Sequence, residues 1–164
     1  MGTATAGAAA RGGVPGVVIR LAAREDVPGI VALIGRGNHR RGDAEKIRRC
    51  VLRAPSEVAC RDGEVVGFVY ARRFAPDVLE WCNVAVAPEY RRLGLGTAMV
   101  QKAEDEARRF GYVALVGANS RLHPGASAEH CHAARAFWER MGWREVLRTP
   151  DGMSVVIVKD LMAP

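Results

Sequence analysis

The sequence predicts an α/β (α+β) domain, a mixed central sheet of about six to seven strands with helices on both faces. Three observations carry that prediction. An apolar run at 78–86, a glycine-bearing turn, an amphipathic stretch at 97–110 and a second short apolar run at 112–116 read as a strand–helix–strand unit with parallel strands. Asp62-Gly63, between apolar runs at 58–61 and 64–74, is a two-residue hairpin signal. Residues 143–147 and 153–158, joined around Pro150-Asp151-Gly152, form a closing antiparallel pair. Alternation in the hairpin strands is imperfect, as expected when both faces of a sheet are covered.

Taken in order, residues 1–16 are rich in Gly, Ala and Thr without periodicity and bury too little to offset ordering entropy, so they are expected as a disordered tail before a domain at 17–164. Residues 17–21 begin the fold as a strand. Asp26 is placed to cap a helix with Pro28 in its first turn and Ile30, Leu33 and Ile34 inward, which Gly35 and Gly37 should end. The loop 35–42 is basic, and Asp43 caps a second helix carrying Ile47, Cys50 and Val51. A turn at Ala75-Pro76-Asp77 precedes the strand at 78–86. In the long helix Met99, Ala103, Ala107 and Phe110 share one face, Lys102, Glu104, Asp105, Arg108 and Arg109 should meet water, and Gly111 is the stop. Residues 117–130 read as a long Gly/Pro/Ser/His loop, and the helix after it ends at Gly142.

Length and composition bound the function. At 164 residues, 49% hydrophobic and 26% charged, the chain suits one domain. No apolar run approaches the roughly 20 residues of a membrane helix, and the amino terminus lacks a signal-peptide apolar region, so a soluble, cytoplasmic protein without membrane partners is expected. Cys50, Cys60, Cys82 and Cys131 form no C-x-x-C pair and read as reduced thiols. Of the 24 basic residues behind the net charge of +6 only Lys46, Lys102 and Lys159 are lysines, and the arginines are scattered. No basic stripe with interleaved aromatics points to nucleic acid, whereas positive charge would suit a phosphate-rich ligand.

The motif at the centre is Arg91-Arg92-Leu93-Gly94-Leu95-Gly96, between a strand and a helix. Two glycines one residue apart allow a tight turn and close approach of a ligand. The free N–H groups and dipole of the following helix favour an anion, and two arginines stand at the entrance. Met99 stands where a dinucleotide motif would want its third glycine, and no Gly-Lys-Ser/Thr follows.

What remains, Arg-x-x-Gly-x-Gly after Val84-Ala85-Val86-Ala87-Pro88-Glu89-Tyr90, resembles the acetyl-coenzyme A signature of the GNAT N-acetyltransferase superfamily. Ala134-Arg135-Ala136-Phe137-Trp138-Glu139-Arg140-Met141-Gly142-Trp143 is similar to that family's second segment. The resemblance implies the GNAT fold, with two parallel strands splayed apart at the acetyl-CoA site. It places acetyl-CoA against the backbone of Val84, Ala85 and Val86, and its pyrophosphate on Arg91, Arg92, Leu93, Gly94, Leu95, Gly96 and Thr97. Glu80 looks like the general base of histone-type members. Period-two alternation would put Glu80, Cys82 and Val84 on one face, and burial beside Trp81 or the ligand would raise the Glu80 pKa. Asn119 corresponds to a family asparagine that contacts coenzyme A, unless the loop displaces it.

Trp138 departs from the family, which usually has there a tyrosine that protonates the leaving thiolate. Its indole either packs on the pantetheine or belongs to the core. The loop 35–42 would shape the acceptor site. His123 and His130-Cys131-His132 invite a metal reading, but no second ligand pair at zinc spacing accompanies them, and no metal is expected. The implied activity is direct transfer of acetyl from acetyl-CoA to a primary amine, more readily of a small molecule than of a peptide because the long loop narrows an open groove. A protein N-acetyltransferase, a catalytically weak acyl-CoA-binding regulator and a homodimeric state are left open.

Overall fold

Asp62 and Gly63 take φ values of 50° and 84°, the two left-handed conformations of a type I′ turn, and so join β2 (Glu57–Arg61) to β3 (Glu64–Ala75). Pro76 and Asp77 then turn the chain into β4 (Val78–Val86). With β1 (Val17–Leu21), β5 (Ala114–Ser120), β6 (Arg144–Arg148) and β7 (Ser154–Asp160) these strands form one seven-stranded sheet in the order β1-β2-β3-β4-β5-β7-β6. All neighbours are antiparallel except β4 and β5. The computed structural model describes residues 14–38, 42–120 and 128–163. Most of the expected tail, residues 39–41 of the basic loop, and His123 lie outside the described residues.

The parallel pairing is short. It runs from Val78 opposite Ala114 to Trp81 opposite Gly117 and goes no further, although β4 continues to Val86 and β5 to Ser120. The expected splay between two parallel strands is therefore present.

A bulge reverses the expected alternation in β4. Trp81 pairs with Ala71 but Asn83 pairs with Tyr70, which leaves Cys82 as an extra residue and shifts every later side chain to the other face. Val84 lies opposite Val69 and Val86 opposite Gly67. A Cβ on Gly67 would sit 3.4 Å from the Met99 sulfur, so this face is the one that helix α3 (Leu95–Arg109) covers. Glu80 pairs with Arg72, and the Cys82 thiol meets Cys50 of helix α2 (Ala44–Arg53) on the other face. The prediction that Glu80, Cys82 and Val84 share a face is thus wrong for Val84.

Helix α1 (Val27–Asn38) runs through Gly35 and stops one residue past Gly37. Its Ile30, Leu33 and Ile34 are buried as expected, and Gly29 comes so close to β3 that an added Cβ would lie 2.7 Å from Val65 Cγ2. Asp26 does not cap it. The Asp26 carboxylate accepts from the Ala23 N–H at 2.7 Å and from the Arg20 guanidinium at 2.7 and 2.8 Å, closing the single 3₁₀ turn ahead of the helix. Asp43 caps α2 through the Lys46 N–H at 3.0 Å.

Gly111, with φ of 84°, ends α3 in a Schellman arrangement, its N–H bonded to Arg108 O and that of Tyr112 to Ala107 O. Met99, Ala103 and Ala107 are buried, but Phe110 is 60% exposed. Glu104, expected in water, is instead buried, because Lys159 of β7 reaches it at 2.6 Å and the Trp143 indole N–H donates to it at 3.3 Å. Helix α4 (Ala128–Arg140) packs on β5. The largest fully buried side chains, among them Phe68, Ile30, Leu79, Leu95, Met99 and Leu115, fill the layers between sheet and helices. Each such aliphatic or aromatic side chain contributes about 1.5–3 kcal/mol. Among the described residues no helix is long and apolar enough to cross a membrane.

Candidate active site

Where β4 and β5 separate, the edge of β4 from Cys82 to Val86 faces the gap without a strand partner on that side. The carbonyls and N–H groups there are available to a ligand that pairs as a strand would. Val84, Ala85 and Val86 are each half-buried along this edge.

The chain then makes a 3₁₀ turn, Pro88–Tyr90, and enters the glycine turn. Arg91 donates from Nε to the Val86 carbonyl at 2.9 Å, tying the turn to the end of β4. Arg92 takes φ of 64° and Gly94, the residue before α3, takes φ of 80°. A β-carbon is disfavoured at that angle, so Gly94 has a backbone reason to be glycine. Gly96 has no such reason. It is already helical, and a Cβ there would meet only Val86 Cγ2 at the ordinary distance of 3.7 Å, so nothing within the fold excludes a side chain. The first intrahelical bond of α3 comes from Ala98 to Gly94 O at 3.0 Å, and the N–H groups of Leu95, Gly96 and Thr97 precede it without intrahelical acceptors. No side chain caps this end. Together with exposed Arg91 and Arg92 and the helix dipole it is a site for an anion.

On the opposite face of β4, Glu80 accepts from Arg72 Nε at 2.6 Å and Nη2 at 2.5 Å, both to Oε2. Its side chain is 24% exposed and that of Arg72 55%. The pair holds the Arg72 proton more firmly than usual, through the hydrogen bond first and the charge second. The expected burial of Glu80 beside Trp81 is not found, because adjacent strand residues point to opposite faces. Cys82 follows at the bulge, its thiol donating to Glu80 O at 3.7 Å. Arg72 was not legible as a site residue, although its place opposite Glu80 follows once the β3–β4 register is known.

Trp81 instead joins Trp138 and Trp143, with ring centroids 5.0 to 5.8 Å apart. Phe137 adds an edge contact to Trp138 at 4.9 Å. Trp81 is the last residue of β4 paired to β5, so this cluster packs where the splay begins. Asn119 and Ser120, expected in the loop, belong to β5. The Asn119 amide donates to Cys131 O at 3.2 Å, and Asn119, Arg135 and Trp138 line a small cleft under α4. His130, Cys131 and His132 lie on α4 and not in a loop.

The model of the acetyltransferase (GNAT) family matches residues 36–143. The chain belongs to the GNAT acetyltransferase family. An L-2,4-diaminobutyric acid acetyltransferase from Nocardia farcinica is 40% identical over 80 residues, 48% of this chain and 42% of that protein, so the match spans less than half of the relative's length. The ribosomal-protein-S18-alanine N-acetyltransferase of Escherichia coli superposes with a TM-score of 0.72 over 90% of this chain and 96% of its own, at 22% identity. A putative acetyltransferase from Salmonella typhimurium, solved with acetyl-CoA, gives 0.71 over 90% and 95% at 18% identity. These two likenesses are of fold, and the GNAT topology of the sheet agrees with them.

Proposed function

We propose that this GNAT domain transfers acetyl from acetyl-CoA to a primary amine of a small molecule by direct attack of the amine. The observation that carries the reading is the gap between β4 and β5 opening beside the uncapped start of α3. The N–H groups of Leu95, Gly96 and Thr97, with Gly94 allowing the turn and Leu93 exposed beside it, suit the pyrophosphate, and Arg91 and Arg92 add charge. The edge formed by Val84, Ala85 and Val86 suits the pantetheine, and a backbone N–H there would polarise the thioester carbonyl. Trp138 packs on Trp81, the last residue of β4 paired to β5, and Asn119 ties α4 to the end of β5 through Cys131. The structure solved with acetyl-CoA and the diaminobutyric acid acetyltransferase support the donor and a small acceptor respectively.

In this reading Glu80 takes a proton from the acceptor's ammonium through Oε1, the oxygen that neither Arg72 bond uses. The amine nitrogen bonds to the acetyl carbon, the carbon–sulfur bond breaks, coenzyme A leaves as thiolate, and the second proton of the attacking nitrogen passes through solvent to the sulfur. No phenol stands at position 138 to protonate it, but a thiol of pKa near the free value of about 8.5 departs without much help. Thiol release measured against a panel of small amines and alanine-terminated peptides tests the proposal. The expected result is amine-dependent release with small molecules. Release with peptides alone would move the acceptor class, and no release in protein that binds CoA would leave only a binding role.

A further inference from the structure

We infer that the acceptor is an amino acid with a second amine, its carboxylate read by Arg72 while Glu80 receives the amine. The inference rests on the placement of the acceptor beside Glu80 proposed above. Arg72 and Glu80 are direct register partners on β3 and β4, so the sheet fixes a cation and an anion side by side. A zwitterion presents the complementary arrangement. Arg72 spends Nε and Nη2 on a single carboxylate oxygen, Glu80 Oε2. The Nη1 edge of the guanidinium makes neither bond, and the side chain is 55% exposed, so a planar pair of donors remains open to a second carboxylate.

The surroundings add positive charge. Against its burial, the Cys50 thiol between α2 and β4 is held below the usual thiol range by its hydrogen bond with Cys82 first and then by the nearby charges of Lys46, Arg72 and Arg49. A plain diamine, doubly cationic at neutral pH, would meet Arg72 as a like charge. A carboxylate on the same molecule turns that repulsion into a charge-assisted bond, a difference of about 10- to 100-fold in affinity. The relative from Nocardia farcinica, named for a diamino acid, agrees with this chemistry from an independent direction.

The test compares diamino acids with their decarboxylated twins, ornithine against putrescine and 2,4-diaminobutyrate against the corresponding diamine. In wild type, kcat/KM for the amino acid should exceed that for its twin by about tenfold or more, mainly through KM. Arg72→Gln should bring the ratio close to one, and Arg72→Lys should keep part of it. Unchanged CoA affinity by calorimetry confirms that the variants are folded. A ratio that is the same in wild type and Arg72→Gln, or a wild type that prefers the diamines, would overturn the inference while leaving the transferase reading intact. Thiol release with no amine at all would remove both.

Discussion

Beside α3 the edge of β4 presents unpartnered backbone, whereas the face under α2 offers side chains, and in the proposed function the charged groups on the two sides do different work. On the α3 side, Glu57 of β2 and Glu104 of α3 itself are buried carboxyls with no place in the proposed chemistry. Under α2 lies Glu80, half-buried, paired to Arg72 and open on one oxygen. If the proposed function holds, a charge on the α3 side matters for stability and one on the α2 side matters for turnover. Each substitution below would break or sharpen that division.

The largest effect is expected from Lys159→Met. The Lys159 ammonium is bonded both to Glu104 and to the Met141 carbonyl, so its loss leaves a carboxylate buried and unpaired. Breaking such a pair costs about 3–5 kcal/mol. Denaturant unfolding should show that loss, with CoA affinity kept in the protein that remains folded; a change below about 1 kcal/mol would contradict the assignment.

Glu57 should give the opposite sign. Among the described residues neither of its oxygens has a hydrogen-bond partner, and burial raises its pKa from 4.5 to about 7, with Lys102 opposing and Glu106 adding to the shift. The folded protein therefore holds a proton between those values that the unfolded chain gives up. Stability is greatest below about 4.5 and falls as pH rises through about 7. Glu57→Gln should differ little from wild type near pH 5 and be more stable at pH 8 by up to about 3 kcal/mol, with turnover unchanged. A stability difference that does not depend on pH would reject this account.

Glu80→Gln sharpens the comparison from the other face. Turnover should fall on the order of 100-fold or more, most at low pH where the acceptor is protonated, while stability and CoA affinity hold. An unchanged pH–rate profile would mean that water or another group accepts the proton.

Trp138→Tyr tests the aromatic cluster where the splay begins. Trp138 packs on Trp81, Trp143 and Phe137, so the smaller ring should cost about 1–3 kcal/mol of stability without raising kcat. A variant as stable as wild type and several-fold faster would show that the position wants an acid.

The division also explains what the sequence revealed. Features made by local backbone rules were legible: the Asp62-Gly63 hairpin, the Asp43 cap, the Gly111 stop and the glycine turn itself. Features made by distant partners were not. Glu104 looks like a surface residue until Lys159, 55 positions later, is brought to it by the sheet. The Cys82 bulge is invisible to alternation because one extra residue leaves the pattern of residue types unchanged while reversing which face they meet. Gly35 and Gly37 weaken a helix without forbidding it, and the packing of Ile30, Leu33 and Ile34 prevails. Arg72 carried no motif. Only the register of β3 on β4 sets it against Glu80.

The central claim is that the start of α3 holds coenzyme A through backbone N–H groups, and Gly96 tests it most directly because the fold leaves room there for a side chain. Calorimetric titration of coenzyme A into wild type, Gly96→Ala, Gly96→Val and Arg91→Ala is the measurement. Affinity should fall progressively from Gly96→Ala to Gly96→Val, by more than tenfold in the latter, with a smaller loss for Arg91→Ala, since each added carbon obstructs the approach to those N–H groups. Wild-type affinity in a folded Gly96→Val protein would contradict the account.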